Sequence, residues 1–88
     1  MIVHTSHFFD KNFKKRVSSN KKLVIQFQER LQIFINQSNH RLLKTHELTG
    51  PKKGLSAFSI TGDIRVVFRK ISETEVVLVD IGSHNQVY

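Results

Sequence analysis

The chain has no cysteine, one proline and four glycines, and its 7 acidic residues face 14 lysines and arginines. Without cysteine there is no disulfide, no thiolate nucleophile and no thiolate metal site. Small secreted domains usually depend on such cross-links, so a reducing cytoplasm is the expected compartment. No apolar run approaches the roughly 20 residues that a membrane-spanning helix needs, so no membrane association is expected. Met1-Ile2-Val3-His4 has neither the basic nor the apolar stretch of a secretory leader. His4, His7 and His40 fit no metal-ligand spacing, and the HExxH pattern is missing, so no metal or cofactor is expected. Repeats, linkers and low-complexity tracts are absent as well.

What is present is a foldable core and an uneven charge. Leu, Ile, Val and Phe make up 31 of the 88 residues, well above the level of a disordered segment. The length suits one domain over residues 1–88, with a core that is real but thin. The net charge of +7 is concentrated at the N-terminal side: residues 1–53 carry +8 and residues 54–88 carry −1. Such a field speeds encounter with polyanions and favours phosphate contacts. Nucleic acid is the first partner this charge suggests, and an acidic protein is the second.

Periodicity then divides the chain. Ile2–Thr5 is β-prone, and Ser6 offers an N-cap to a helix carrying Phe9, Phe13 and Val17 on one face. Ser18-Ser19-Asn20 breaks the pattern, and Asn20 or Ser19 caps a second helix from Lys21 to about Asn36. Its apolar positions are Leu23, Phe27, Leu31 and Phe34/Ile35. The short break makes the two helices a hairpin. After Asn36 the period changes. Gly50-Pro51-Lys52-Lys53-Gly54 is a basic turn, and Leu55–Ile60, Asp63–Ile71 and Glu75–Ile81 read as strands separated by Thr61-Gly62 and Ser72-Glu73-Thr74. A further short strand is possible around Leu43–Glu47. The expected fold is α+β, β-α-α-β-β-β, with the helical hairpin packed on one face of a curved antiparallel sheet.

Among the polar residues, His46, Asp63, Arg65 and His84 stand out. Asp63 and Arg65 leave the same face of a strand. Antiparallel pairing of 64–71 with 75–82 carries both beside the 80–84 segment, so Asp63, Arg65 and His84 are able to meet. That set suits cleavage of RNA by its own 2′-hydroxyl. A base takes the hydroxyl proton, a fixed cation stabilises the charge on phosphorus, and an acid protonates the departing 5′ oxygen. Histidine titrates near neutrality and fits both proton-transfer roles, while the arginine fork fits phosphate. Spacing alone does not establish an enzyme, because a strand Asp and Arg two apart are more often a surface ion pair. A histidine at a strand end is likewise more often a solvated loop residue. The lysines of the basic turn fall outside the GxxxxGK[ST] spacing and act at most as point charges on a nucleic-acid backbone. The phenylalanines read as packing, and Tyr88 as the one aromatic free to stack on a base or cap a cleft edge.

Taken in order, His46-Glu47-Leu48-Thr49-Gly50, Lys53-Gly54, Gly62-Asp63-Ile64-Arg65-Val66-Val67-Phe68, Ile81-Gly82-Ser83-His84 and Val87-Tyr88 form a series. The series resembles the RelE/ParE superfamily of type II toxin–antitoxin toxins, and within it the YafQ-like branch of mRNA endonucleases. The resemblance covers nearly the whole chain. It implies a ribosome-dependent, metal-independent endoribonuclease acting on mRNA in the ribosomal A site through the substrate 2′-hydroxyl. His46, Asp63 and His84 would occupy catalytic positions, with His84 the general acid and either His46 or Asp63 the base. Arg65 would face the scissile phosphate and Tyr88 would help the substrate base. Lys52, Lys53, Arg69 and the helix lysines would contact the RNA backbone, ribosomal RNA included. Where the branch has a further histidine, this chain has Ser59, which cannot act as acid or base near neutrality. The resemblance also implies a cognate antitoxin with an acidic segment over the basic surface, commonly as a heterotetramer, which meets operator DNA mainly through the antitoxin. Two alternatives stand beside this one: a ParE-like toxin that inhibits DNA gyrase without cutting RNA, and an inactive relative that only binds its antitoxin.

Overall fold

The computed structural model describes residues 1–88. It begins with a strand, β1 (Ile2–Thr5), followed by helices α1 (His7–Arg16) and α2 (Lys21–Asn36). A short 3-10 turn at Arg41–Leu43 precedes β2 (His46–Glu47), and a second at Gly50–Lys52 precedes β3 (Ser56–Ser59). The long strands β4 (Ile64–Lys70) and β5 (Glu75–Ser83) follow, and the chain closes with α3 (His84–Val87).

Both expected caps are in place. Ser6 Oγ accepts from Phe9 N at 3.0 Å, and Asn20 Oδ1 accepts from Leu23 N at 3.1 Å. Ser6 Oγ also donates to Val79 O at 3.1 Å, so one side chain both starts α1 and fastens it to β5.

The strand order is β1-β5-β4-β3-β2. The β2–β3, β3–β4 and β4–β5 pairs are antiparallel, as the hairpin turns require, but β1 lies parallel to β5 with Ile2 opposite Glu75. The sheet is therefore mixed rather than wholly antiparallel. The reason is topological: α1 and α2 carry the chain away from β1, so β1 is free to return along the open edge of β5.

One face of the sheet carries the main core. Thirteen buried side chains run from Phe9 and Val17 through Phe27 and Phe34 to Phe58, Val66, Phe68, Leu78 and Ile81. Phe34 and Phe58 stack at 4.4 Å between ring centroids, and Phe13 meets Phe27 edge-on at 5.1 Å. Leu31 and Ile35 of the expected helical stripe are only half-buried, and Phe34 takes the central position.

A polar strut crosses this interface. Asp80 is buried on β5, and its Oδ1 accepts from Asn12 Nδ2 at 2.7 Å, Arg16 NH1 at 3.3 Å and its neighbour Ile81 N at 2.8 Å. Arg16 also donates to Ile81 O at 2.9 Å. The charge is thus buried with its partners, the condition under which such a group is tolerated.

The opposite face is thin. Only Ala57, Val67 and Val87 are fully buried there, with Leu48, Leu55 and Val79 packed around them. Val67, two residues past Arg65 on β4, is covered there by Val87 of α3.

Candidate active site

The thin face holds the groups with chemistry, and the sheet register explains their convergence. His46 lies opposite Ala57 on β3, and Ala57 lies opposite Val67 on β4. Ser59, Arg65 and Gly82 form the neighbouring row. The sequence Ser83-His84-Asn85-Gln86 then turns the end of β5 into α3, with Ser83 N donating to Gln86 Oε1 at 2.7 Å in a capping-box arrangement. Val87 drops onto Ala57 and Val67, which brings Tyr88 back across the sheet to the edge strand β2. Gly82 makes this possible: a Cβ there would meet Gln86 Oε1 at 2.7 Å and Arg16 NH1 at 2.8 Å.

Tyr88 is the centre of the cluster. Its ring stands edge-on to His84 at 4.5 Å and to His46 at 6.0 Å. Its hydroxyl lies 3.2 Å from His46 Nε2, while His46 Nδ1 lies 3.0 Å from the Lys44 carbonyl oxygen. A carbonyl only accepts, so Nδ1 carries the hydrogen and Nε2 keeps its lone pair, to which the Tyr88 hydroxyl donates. Lys44 adopts the left-handed conformation (φ 50°, ψ 40°), and the chain around it directs that carbonyl at the imidazole. Burial pushes the Tyr88 phenol above its ordinary pKa, with the Arg65 guanidinium opposing the shift, so the hydroxyl stays a proton donor at neutral pH.

Arg65 folds back along its own hairpin and donates to Thr61 O at 2.9 Å. The Thr61 hydroxyl in turn accepts from Asp63 N at 3.2 Å and Ile64 N at 3.0 Å, which fixes the turn. Asp63 Oδ1 accepts from the backbone N of His84 at 3.4 Å. The carboxylate thus supports the start of α3, and no hydrogen bond joins it to His46.

His46, Asp63, Arg65, His84 and Tyr88 come together, and Lys52 lines the adjoining cleft of about 340 Å³ with His46, Glu47, Leu48, Thr49, Pro51 and Tyr88. Lys53 is exposed outside that lining, and exposed Arg69 lies four residues past Arg65, about 13 Å along the strand. Neither belongs to the cluster. What the sequence reading missed is α3 itself and the bridging role of Tyr88. The S-x-x-Q spacing at Ser83–Gln86 was the available signal for the helix. No group of three or more metal-ligating side chains is assembled anywhere in the chain.

A strand, two helices and a five-strand mixed sheet in this order make up the fold of the RelE/YafQ toxins. Over residues 1–88 the chain matches the family model described as the bacterial toxin of type II toxin–antitoxin systems, YafQ, and it belongs to that family. Crystalline YafQ from E. coli is similar over 98% of this chain and 96% of its own, with a TM-score of 0.81 at 16% identity. The E. coli DinJ–YafQ complex gives 0.78 at 18% identity over 98% and 96% of the two chains. A metal-bound toxin from Helicobacter pylori gives 0.79 at 26% identity over 100% and 99%. No curated protein sequence shows significant similarity. No helix is long and apolar enough to cross a membrane.

Proposed function

We propose that this YafQ-family toxin is a ribosome-dependent mRNA endoribonuclease that cuts through the substrate's own 2′-hydroxyl. The observation that carries the reading is the His46–Tyr88–His84 arrangement beside Arg65: two imidazoles flanking one protonated phenol, within reach of a guanidinium, on a chain of net charge +7.

His46 Nε2 removes the 2′-hydroxyl proton, and the freed oxygen attacks the adjacent phosphorus. Arg65 stabilises the added negative charge on the phosphoryl oxygens. His84 donates its proton to the 5′ oxygen as the P–O bond breaks, leaving a 2′,3′-cyclic phosphate and a 5′-hydroxyl. Tyr88 holds His46 until substrate arrives and then offers its face to a base, and Asp63 holds the helix that presents His84. Side chains supply base, acid and charge stabilisation, so the mechanism is metal-independent. His46 is the base in this account because its Nε2 lone pair is already oriented by Tyr88, whereas the Asp63 carboxylate is turned to the backbone. Lys52 contacts the RNA backbone at the cleft, and Lys53 and Arg69 serve ribosomal RNA farther out.

The partner is a cognate antitoxin whose acidic segment covers the basic surface, in a heterotetramer that meets operator DNA mainly through the antitoxin. The E. coli DinJ–YafQ toxin–antitoxin complex supports an antitoxin partner by likeness. The action is cytoplasmic, where ribosomes and antitoxin meet.

The test is to map RNA ends in cells expressing the toxin and to label them chemically. Cyclic phosphate and 5′-hydroxyl ends at new cuts, lost with His84→Ala, are expected. Growth arrest with intact RNA and new DNA breaks would replace this reading with gyrase inhibition, and normal growth would replace it with an inactive antitoxin-binding relative.

A further inference from the structure

On the far side of the Thr61–Asp63 turn lies a second cleft of about 450 Å³, lined by Arg30, Arg41, Leu42, Lys44, Ser59, Thr61 and Gly62. Three cations from three elements converge there: Arg30 from the middle of α2, Arg41 from the 3-10 turn, and Lys44 from the segment leading into β2. None of the three has a carboxylate within ion-pair distance, and no acidic residue lines the cleft. Like charges gathered without counter-charge repel one another, so the arrangement favours an anion.

Two further features shape it. Arg30 donates to Leu42 O at 2.7 Å, which holds its guanidinium fork at the cleft rather than free in solvent. Ser59 also lines the cleft, and a serine hydroxyl is able to donate to an anion's oxygen.

Resting on the nuclease reading above, we infer that this cleft is a subsite for backbone phosphates of single-stranded RNA next to the nucleotides being cut. The cleft is continuous in the chain with the catalytic groups. Lys44 gives its side chain to the cleft and its carbonyl to His46, and Thr61 lines the cleft while its carbonyl holds Arg65. An RNA strand leaving the His46–Arg65 site over this turn meets Arg30, Arg41 and Lys44. Three cations from separate elements match phosphodiesters at intervals along a strand better than they match one carboxylate.

The experiment uses the His84→Ala toxin, so that bound RNA is not cut, and a fluorescent single-stranded RNA oligonucleotide. Arg41→Glu/Lys44→Glu reverses two charges at exposed positions. Lys70→Glu/Ser72→Glu/Thr74→Glu makes the same change in net charge at exposed positions around the β4–β5 turn, about 20 Å along β4 from the Thr61–Asp63 turn. The cleft pair should raise Kd about tenfold or more at low salt. It should flatten the log Kd against log salt slope by about 1.4, the contribution of two phosphates on a single strand. The control variant should change Kd less than about threefold. Equal losses from the two variants would overturn the subsite in favour of diffuse attraction. RNA binding unchanged by the cleft pair, with loss of binding to an acidic peptide, would overturn it in favour of a carboxylate site. Cleavage of ribosome-bound mRNA by the His84-containing toxin reads the nuclease proposal separately. Cutting together with unaltered oligonucleotide binding by the cleft variant sinks the subsite alone. Cleft-specific RNA binding without cutting upholds the subsite and sinks the nuclease.

Discussion

The two faces of the sheet are built to opposite ends. The helix-covered face buries thirteen apolar side chains, five of them phenylalanines, with its one charged strut fully paired. The other buries three small ones and gathers two imidazoles, a guanidinium and a phenol, with His46 and Tyr88 reaching into an adjoining cleft. A chain this short has apolar residues enough for one thick layer. Concentrating them on one side lets the other side stay polar without losing the fold. On the proposed function, stability and chemistry are carried by different residues, and substitutions should separate them.

The largest separation is expected from His84→Ala, which should lower cleavage about 10²–10⁴-fold and leave the thermal transition in place, because His84 is exposed. Unfolding by this variant would show that the faces are not independent. Phe34→Ala should do the reverse. Losing the fully buried ring stacked on Phe58 costs about 3–5 kcal/mol, read by denaturant titration. Asp80→Ala strands Asn12 and Arg16 and should cost about 3 kcal/mol, somewhat less than a sealed pair because Arg16 keeps 21% of its side chain exposed. Tyr88→Phe removes one hydroxyl hydrogen bond from His46 and should change cleavage only about three- to tenfold, a sharper probe because the ring contact with His84 stays.

The smallest effect is in pH dependence. Because the Tyr88 pKa is raised on folding, the folded chain holds that proton more tightly than the unfolded one. The resulting stability is fully present below the ordinary tyrosine value of about 10 and is lost as pH rises through the folded value. Tyr88→Phe should flatten that alkaline limb in a stability–pH series.

Much of the helix-covered face was legible in the sequence, because local rules govern it. Ser6 and Asn20 cap as their types suggest, and Phe9, Val17, Leu23 and Phe27 follow helical spacing. The parallel return of β1 was not legible, since its partner Glu75 lies far along the chain and a strand's residues do not encode its neighbour's direction. Asp80 is a similar case: strand alternation alone does not reveal that Asn12 and Arg16 arrive from α1 to pair with it. On the site face, hairpin register was enough to bring Asp63 and Arg65 to the 80–84 segment. The attachment of Asp63 to the His84 backbone rather than to His46, and the place of Tyr88 between two histidines, depend on α3. Four residues are too few to show a helical period. The cleft of Arg30, Arg41 and Lys44 gathers residues from separate elements, so no motif announces it.

The central claim is that the α3 face cuts RNA with its own side chains. The most direct measurement adds purified toxin to ribosomes stalled on a defined mRNA, without added metal, and maps new ends by primer extension. Discrete cuts within the A-site codon that disappear with His84→Ala are the predicted result. Folded toxin that leaves the mRNA whole, or a His84→Ala variant that cuts as well as its parent, would contradict it.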